Sequence, residues 1–418
     1  MDNSSRVLVV GTTADYIEWI RRASPGRALF LTLPAVRDEA CEPPPAADEE
    51  ILCDLADEDE VKEKLAAHLL GTKFSLSGIM AFDCESMELA ALLAGEYSLT
   101  YPSIAAIRRS RDKNATKKAW RANSVRCPES RLVQTAAGVA SFMDELGGPC
   151  VLKPLTGSGS ELVIYCGKNK DCGKATQIIS RGLAERKAQR LYSNDSEWFL
   201  AEEYVDGDEY SCDFTIRDSQ VDIVRITRKI KGDKQPFGTI MGYVLDELPE
   251  EAGGRDALGG ILKRAAEALG LTDAICMVDF LVADEGIVLL EMTPRPGGDC
   301  LPFLMREAGM VDILIFALDF AERRKSVPPV KKDGEFVGLR LHLPESGVLR
   351  NIEYDSLPED PRVLEINIIR HPGHRVSMPP DDYESWFLGH LVFKAAPDVN
   401  LLDQCRELRR KIRVEISQ

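Results

Sequence analysis

Two carboxylates that could bind a metal ion lie on either side of a predicted hairpin. Two apolar runs meet at Asp284-Glu285-Gly286, and a three-residue loop there would pair Ala283 with Ile287. Counting back along both strands from that pair, Asp279 falls opposite Glu291, with Cβ atoms about 5 Å apart. A loop of two or four residues would instead put the carboxylates on opposite faces, because side chains alternate along a strand.

The residues around both acids favour a metal site over a solvent-facing one. Ile, Met, Val, Phe and Leu surround Asp279 and Glu291, as in a strand that is covered on both faces. Two like charges in such a place are costly unless a cation lies between them. Oxygen ligands alone indicate a hard cation, Mg²⁺ before Ca²⁺, with phosphate oxygens completing the coordination shell.

A lysine at the end of a strand precedes a loop of small residues. The apolar run from Cys150 ends at Lys153-Pro154, and the loop that follows contains Gly157, Ser158, Gly159 and Ser160. Such a loop can turn its backbone N–H groups toward phosphate oxygens while the lysine supplies a positive charge. It lacks the Walker spacing and could by itself be an ordinary turn, but phosphate and Mg²⁺ commonly bind together.

An acidic strand end could recognise a nucleoside. The apolar strand that begins at Phe199 carries Glu202 and Glu203, then Val205, and Glu209 follows a turn. A carboxylate beside a backbone N–H suits the amine-bearing edge of adenine, and Glu209 could hold ribose hydroxyl groups. The alternative is an acidic strand end that binds no nucleotide.

Together these stretches resemble the ATP-grasp superfamily, from about Arg108 to Lys325. Five motifs in order carry the resemblance: Asp112-Lys113, Lys153-Pro154 with its glycine loop, the hinge of Glu202, Glu203 and Val205, the acid Glu209, and the pair Asp279 and Glu291 with Glu291-Met292-Thr293-Pro294-Arg295-Pro296-Gly297-Gly298. Thr293 stands where the family usually has a metal-binding Asn, Asp279 replaces the commoner Glu, and Leu162 occupies the place of a second loop glycine.

The resemblance implies a role for each of these residues. Lys113, Lys153, Gly157–Ser160, Glu202, Glu203, Val205 and Glu209 would bind ATP. Asp279, Glu291 and, more weakly, Thr293 would bind one or two Mg²⁺ ions, with Mn²⁺ as an alternative. Arg295 and Lys153 would be catalytic, and a mobile lid would close over the nucleotide.

The implied activity is that of a ligase that joins a carboxylate to an amine through an acyl-phosphate and releases ADP and phosphate. Amino-acid substrates are favoured, because the overall organisation looks like such ligases and no biotin- or folate-related signature is present. A purine-pathway or bicarbonate-using carboxylase-like enzyme is the first alternative. A catalytically silent ATP-binding regulatory module is the second, and Arg295 together with Asp279 and Glu291 argues against it.

The element pattern predicts an α/β protein with an α+β lid. Strand and helix patterns alternate over the first hundred residues, which indicates a parallel sheet with helices on its faces. We expect an N-terminal α/β domain over 1–107, an ATP-grasp domain over 108–326 with its lid at about 125–200, and a small C-terminal α/β domain over 327–418. A long helical stretch is predicted at Ile104–Ala122, and a linker at Val327–Glu335.

Composition limits the partners. The 418 residues are 44% hydrophobic and 29% charged, an ordinary balance for a soluble globular protein, and no run is long and apolar enough to span a membrane. The net charge of −16 argues against sequence-independent nucleic-acid binding. Eleven cysteines without a Cys-x-x-Cys pair favour a reducing cytoplasm. We expect small-molecule carboxylate and amine substrates as partners, and a homodimer is possible.

Overall fold

A parallel sheet opens the chain in the computed structural model, which describes residues 5–187, 189, 192, 197–232, 236–325 and 331–417. Its strand order is β3-β2-β1-β4, and the apolar side chains of β1 are fully buried at its centre. The predicted βαβα alternation is confirmed. The elements are β1 (Ser5–Val10), α1 (Ala14–Ala23), β2 (Ala28–Thr32), α2 (Pro34–Asp38), β3 (Glu50–Leu52), α3 (Glu58–Thr72), β4 (Ser75–Met80) and α4 (Met87–Glu96).

The helical stretch predicted at Ile104–Ala122 is present but interrupted, because Asp112 divides it into α5 (Ile104–Arg111) and α6 (Lys113–Ala122). Asp112 has an extended backbone, and its carboxylate accepts hydrogen bonds from the N–H groups of Asn114 and Ala115 at 2.8 and 3.0 Å. It is therefore the N-cap of α6. The break starts α6 at Lys113, whose N–H donates to the carbonyl of Leu155 at 3.0 Å.

A separate antiparallel sheet with two helices occupies the region predicted as the lid. Its strand order is β5-β8-β6-β7, and both helices pack on it through apolar residues such as Phe142 and Ile179. The C-terminal part of the helix predicted at Lys174–Leu191 lies outside the described residues. The elements are β5 (Ser130–Val133), α7 (Ala136–Leu146), β6 (Cys150–Lys153), β7 (Ile164–Cys166), α8 (Cys172–Arg186) and β8 (Phe199–Glu203).

The largest sheet has eight strands in the order β13-β12-β9-β10-β11-β14-β18-β16. The pairings of its first five strands are antiparallel, as the sequence predicts for Leu200–Met292. The elements of this part are β9 (Asp208–Arg217), β10 (Gln220–Lys231), β11 (Ile240–Leu245), α9 (Gly254–Leu269), β12 (Asp273–Ala283), β13 (Gly286–Thr293), α10 (Leu301–Glu307) and α11 (Ile313–Ala321).

The C-terminal residues extend this sheet and add a smaller one. Strand β14 pairs with β11, so the central sheet continues across the predicted boundary at 326–327; the division into domains stays a prediction. The linker predicted at Val327–Glu335 lies partly outside the described residues. A second sheet has the order β17-β15-β19. The elements are β14 (Phe336–His342), β15 (Gly347–Glu353), β16 (Val363–Ile368), β17 (Arg375–Val376), β18 (Phe387–Lys394), α12 (Leu401–Arg410) and β19 (Arg413–Ser417).

The described helices contain no stretch that is both long and apolar enough to cross a bilayer. The predicted α/β class, with parallel and antiparallel sheets in one chain, is confirmed.

Candidate functional site

The hairpin of β12 and β13 brings the two predicted metal ligands together by a route that the sequence did not indicate. Its loop has two residues, so Ala283 pairs with Gly286, and the predicted pairing of Ala283 with Ile287 is wrong. Phe280 pairs with Leu289, yet the next pair is Asp279 with Glu291, because the strand bulges between them. The extra residue of this bulge, Leu290, restores the shared face that a two-residue loop would otherwise destroy.

A fully buried lysine holds the bulge. Lys117 on α6 donates to the carbonyl of Leu290 at 2.6 Å and to that of Leu289 at 3.3 Å, and its side chain is completely inaccessible. Burial lowers the pKa of Lys117, an effect that the charge of Glu202 partly offsets at 3.5 Å. Lys117 was not predicted as a site residue, although its position one helical turn after Lys113 places both lysines on one face of α6.

Lysines neutralise both carboxylates in different degrees. Asp279 is 2.8 Å from Lys229, and Glu291 is 3.4 Å from Lys113. Burial raises the pKa of Asp279, and the charge of Glu291 adds to the rise despite Lys229. Burial acts in the same direction on Glu291, but the charges of Lys113 and Lys153 outweigh it and lower its pKa. The pair therefore has one carboxyl that resists ionisation beside one that favours it.

The residues present fit a single hard cation that shares its ligands with a substrate. The Oδ1 atom of Asp279 is buried and has no hydrogen-bond partner among the described residues, so a coordination position is open on it. Thr293 lies on the same strand face, two residues beyond Glu291. Across the described ranges there is no group of three or more His, Cys, Asp or Glu side chains that could hold an ion. Substrate oxygens would have to complete the shell.

The predicted phosphate loop lies at one end of a cavity of about 340 Å³ that also reaches Asp279 and Glu291. Gly157 and Gly159 have φ of 118° and 66°, which L side chains rarely adopt. A Cβ on Gly157 would also lie 3.2 Å from the ring of Tyr192. Lys113 donates to the carbonyl of Gly157 at 3.3 Å, which links the loop to the start of α6.

Glu202 is engaged by lysines rather than free to meet a base. Its carboxylate, 1% exposed, lies 2.6 Å from Lys153 and 3.5 Å from Lys117. Glu203 accepts from the N–H of Glu129 at 3.2 Å, and both Glu203 and Val205 line the cavity. The predicted hinge residues therefore converge on one cavity, although Glu202 acts there through the lysine that it orients.

Three aromatic rings form a wall of this cavity that the sequence analysis missed. The ring centroid of Tyr165 is 5.1 Å from that of Tyr204 and 5.3 Å from that of Phe237. Aromatic faces suit a planar base. The three residues come from β7 and from two connections, and no spacing in the sequence relates them.

Glu209, the predicted ribose ligand, sits between two lysines that were also missed. Lys229 and Lys231 on β10 lie 2.8 and 3.0 Å from its carboxylate. Burial would raise the pKa of Glu209, but these lysines lower it to about 2. Lys229 also contacts Asp279, so one cation joins the predicted ribose and metal positions.

A second cavity, also of about 340 Å³, is likewise lined by Asp279 and Glu291. Arg295 lines it, donating to the Sγ atom of Cys84 at 3.2 Å and to the carbonyl of Pro296 at 2.7 Å. Arg340 and Asp299 lie further along, with 2.6 Å between Arg340 Nε and Asp299 Oδ2. The apolar part of the lining includes Ile240, Tyr243, Met277, Leu290, Leu301 and Phe387.

A buried ion pair fixes the segment that carries Arg295. Asp213 and Arg225 are fully inaccessible and lie 2.7 Å apart. The other oxygen of Asp213 accepts from the N–H of Gly297 at 2.9 Å, and a Cβ on Gly297 would come within 2.5 Å of Arg225. This network ties the Pro-Arg-Pro-Gly segment to β9 and β10.

The family comparison agrees with this geometry. Residues 146–302, which include the phosphate loop, the hinge, Glu209, both carboxylates and Arg295, match the model of the ATP-grasp domain. The match assigns residues 146–302, rather than the whole chain, to the ATP-grasp domain.

Curated relatives match different shares of the chain. An uncharacterized protein of Sinorhizobium fredii is 27% identical over 247 residues, which are 59% of this chain and 48% of that protein. A D-alanine–D-alanine ligase of Acidovorax ebreus is 34% identical over 113 residues, 27% of this chain and 30% of the ligase. The chain thus spans half or less of the curated relatives that it matches.

Solved structures show a likeness of fold over nearly the whole chain. The L-amino acid ligase of Bacillus licheniformis superposes with a TM-score of 0.76 over 99% of both chains, at 16% sequence identity. At that identity the likeness shows the fold alone, and it confirms the fold class predicted from the sequence.

Proposed function

We propose that this chain is an ATP-dependent ligase that joins a carboxylate to an amine through an acyl-phosphate. The observation that carries the proposal is the position of Asp279 and Glu291, which line both cavities at once. A phosphate group bound at these acids would be reachable from the nucleotide side and from the substrate side. Two cavities that meet at a metal-binding pair suit phosphoryl transfer between two bound reactants.

The first cavity supports ATP as one substrate. Lys153 and the N–H groups of Gly157–Ser160 would hold phosphate oxygens, and Lys113 would add a positive charge beside them. Glu203 and Val205 would meet the adenine edge, the aromatic wall its face, and Glu209 the ribose. One Mg²⁺ ion held by Asp279 and Glu291 would supply positive charge to the phosphate oxygens, and Thr293 is a weaker third ligand.

The second cavity supports the chemistry of the acyl group. The substrate carboxylate attacks the γ-phosphorus of ATP, ADP leaves, and the acyl-phosphate is attacked by an amine nitrogen. That nitrogen loses a proton, the C–O bond breaks, and phosphate leaves. Arg295 would stabilise the charge on the transferring group and on the tetrahedral oxyanion. The lid would keep water from the acyl-phosphate.

Amino-acid substrates are the favoured class. Proteins named D-alanine–D-alanine ligase and L-amino acid ligase share parts of the sequence or the fold with this chain. The second cavity, with its arginines, its acid and its apolar lining, supports a small molecule that carries charged and apolar parts.

Product analysis tests the proposal. The protein is incubated with Mg²⁺, ATP and pairs of the twenty amino acids, and the nucleotide products are separated. We expect amino-acid-dependent release of ADP and phosphate with a matching amount of dipeptide, and none from Glu291→Gln. Release of AMP and pyrophosphate would overturn the acyl-phosphate route, and bicarbonate-dependent ADP release without dipeptide would favour a carboxylase-like activity.

A further inference from the structure

Asp299, at the far end of the second cavity, has features that neither the metal site nor the nucleotide site accounts for. It is a non-glycine residue with φ of 61°, directly after Gly298 and before α10. Its side chain is 21% exposed. Non-glycine residues held in the left-handed region commonly mark functional sites, because the surrounding structure must enforce that conformation.

The carboxylate of Asp299 has unused capacity to accept hydrogen bonds. One oxygen, Oδ2, forms an ion pair with Arg340, 2.6 Å from its Nε atom. The other, Oδ1, is buried and has no hydrogen-bond partner among the described residues. An ionised carboxylate can accept about four hydrogen bonds. An ammonium or amine group that donates to Oδ1 would supply the hydrogen bond that this buried atom lacks.

Asp299 is the acid of this cavity that lies outside the proposed metal position. Within the described lining the acids are Asp279, Glu291 and Asp299, and each of them contacts a basic side chain. The cations are Arg111, Lys113, Lys229, Arg295 and Arg340. A substrate carboxylate could therefore pair with several cations in this cavity, whereas a substrate ammonium group outside the metal position could pair with Asp299.

We propose that Asp299 binds the primary amine group of a substrate, so that the second cavity selects amino acids over carboxylic acids that lack an amine. This inference rests on the proposed ligase function and names the substrate group that the site recognises. The amine has two possible sources: the α-ammonium group of the carboxyl donor, or the amine that attacks the acyl-phosphate. Arg340 acts as a positioning residue, because its guanidinium orients the Asp299 carboxylate.

Hydroxylamine trapping separates the two sources. Hydroxylamine attacks an acyl-phosphate and releases phosphate and a hydroxamate, so it reports activation of the carboxyl donor without an amino-acid nucleophile. L-alanine is compared with propanoate, and L-phenylalanine with 3-phenylpropanoate. If Asp299 binds the donor ammonium, we expect wild-type kcat/KM to be at least about tenfold higher for the amino acids. The ratio should fall toward one in Asp299→Asn.

If Asp299 binds the attacking amine, hydroxamate formation stays unchanged in Asp299→Asn, while dipeptide formation falls at least about tenfold. Asn is tolerated in the left-handed region, and Asp299→Gly is a second variant that lacks the carboxylate and prefers this backbone. Asp246→Asn is the matched control, because Asp246 pairs with Arg228 outside both cavities.

The outcomes distinguish this inference from the function on which it rests. Wild-type hydroxamate formation combined with unchanged donor ratios and unchanged dipeptide rates in both Asp299 variants overturns the inference alone. Failure of the folded wild-type protein to form any hydroxamate or dipeptide with these probes or with the other amino acids overturns the ligase proposal and the inference with it.

Discussion

At the scale of single residues, the two candidate metal ligands respond differently to folding. The sequence alone suggests that either acid is relieved by neutralisation, since the two repel each other. The lysine positions change this expectation, because Lys113 and Lys153 stabilise the charge of Glu291, whereas the pKa of Asp279 is raised by burial and by Glu291 itself. Charge at position 279 therefore costs stability in the folded protein, and charge at position 291 contributes to it.

Neutral isosteres of the two acids should both lose activity but differ in stability. We expect Asp279→Asn and Glu291→Gln each to lower the ligation rate by about a hundredfold or more, because each loses a charged ligand. At pH 7 without nucleotide, Asp279→Asn should keep or raise the melting temperature, and Glu291→Gln should lower it. Differential scanning fluorimetry and rate measurements check both expectations.

The stability difference for Glu291 should also depend on pH. Its folded pKa is lowered, so its contribution is present above the unfolded pKa of about 4.3 and is lost as the pH falls through the folded value. The melting temperatures of wild type and Glu291→Gln should therefore converge on acidification. A gap that widens at low pH, or normal turnover in either variant, would contradict the assignment.

Substitutions of Arg295 and Lys153 should differ in their effects on the single-turnover rate and on ATP affinity. Arg295 lines the second cavity, whereas Lys153 lines the first cavity and pairs with Glu202. Arg295→Met should lower the single-turnover rate about a hundredfold, which corresponds to roughly 3 kcal/mol of barrier, and should leave ATP affinity nearly unchanged. Lys153→Met should weaken ATP binding as well. Equal losses of affinity and rate in Arg295→Met would exclude a transition-state role.

At the scale of elements, the side chain of Lys117 connects the helix α6 to the bulge in β13. The bulge places Glu291 opposite Asp279, and the buried ammonium of Lys117 binds the carbonyls of Leu289 and Leu290. The same ammonium lies beside Glu202, which in turn orients Lys153. A single side chain thus links the metal position to the phosphate-binding lysine.

Removing this link should damage both the fold and the metal site. Lys117→Met removes the ammonium donor from both carbonyls and leaves Glu202 with one cation fewer, a loss of about 3 kcal/mol in the free energy of unfolding. We also expect weaker Mn²⁺ binding, measured by electron paramagnetic resonance in the presence of ATP. Lys118→Met changes the next, exposed residue of the same helix and should match the wild type. Normal Mn²⁺ affinity in Lys117→Met would show that the bulge forms without it.

At the scale of the whole molecule, the lid region contacts the C-terminal part of the chain. Arg186 at the end of α8 is 4% exposed, pairs with Glu161 at 2.7 Å and donates to the carbonyl of Asp381 at 2.9 Å. Glu161 directly follows the phosphate loop. The second contact, between Arg181 and the Asp381 carboxylate at 2.6 Å, is exposed on both sides. The buried contact should therefore determine how the lid sits over the nucleotide.

Loss of the Arg186 contact should favour the open lid. We expect Arg186→Met to raise the KM for ATP several-fold and to increase the ratio of ATP hydrolysed to amide formed, because water then reaches the acyl-phosphate. Arg181→Met is the matched control and should change both quantities little, since exposed ion pairs contribute about 0–1 kcal/mol. An unchanged hydrolysis ratio in Arg186→Met would mean that this contact does not hold the lid.

The sequence by itself determined the local parts of this protein. The alternation of apolar runs and helices indicated the parallel sheet. Lys153, Gly157–Ser160 and Glu209 became candidates through residue type and position, and Arg295 through the family resemblance. These features depend on neighbours along the chain, because strand and helix periods and glycine-rich turns are short-range properties. Even the opposition of Asp279 and Glu291 was predicted, although its derivation assumed the wrong loop.

Only the tertiary structure decided how these parts meet. The bulge residue Leu290 accepts a hydrogen bond from Lys117, which is 173 residues away, and counting strand residues cannot reveal a hydrogen bond from a distant helix. Lys229, the aromatic wall and the Asp299–Arg340 pair likewise join elements that are remote in sequence. A charged side chain that is buried requires a partner of opposite charge. Which side chains are buried is set by the packing of the whole chain, so these contacts cannot be inferred from neighbours in the sequence.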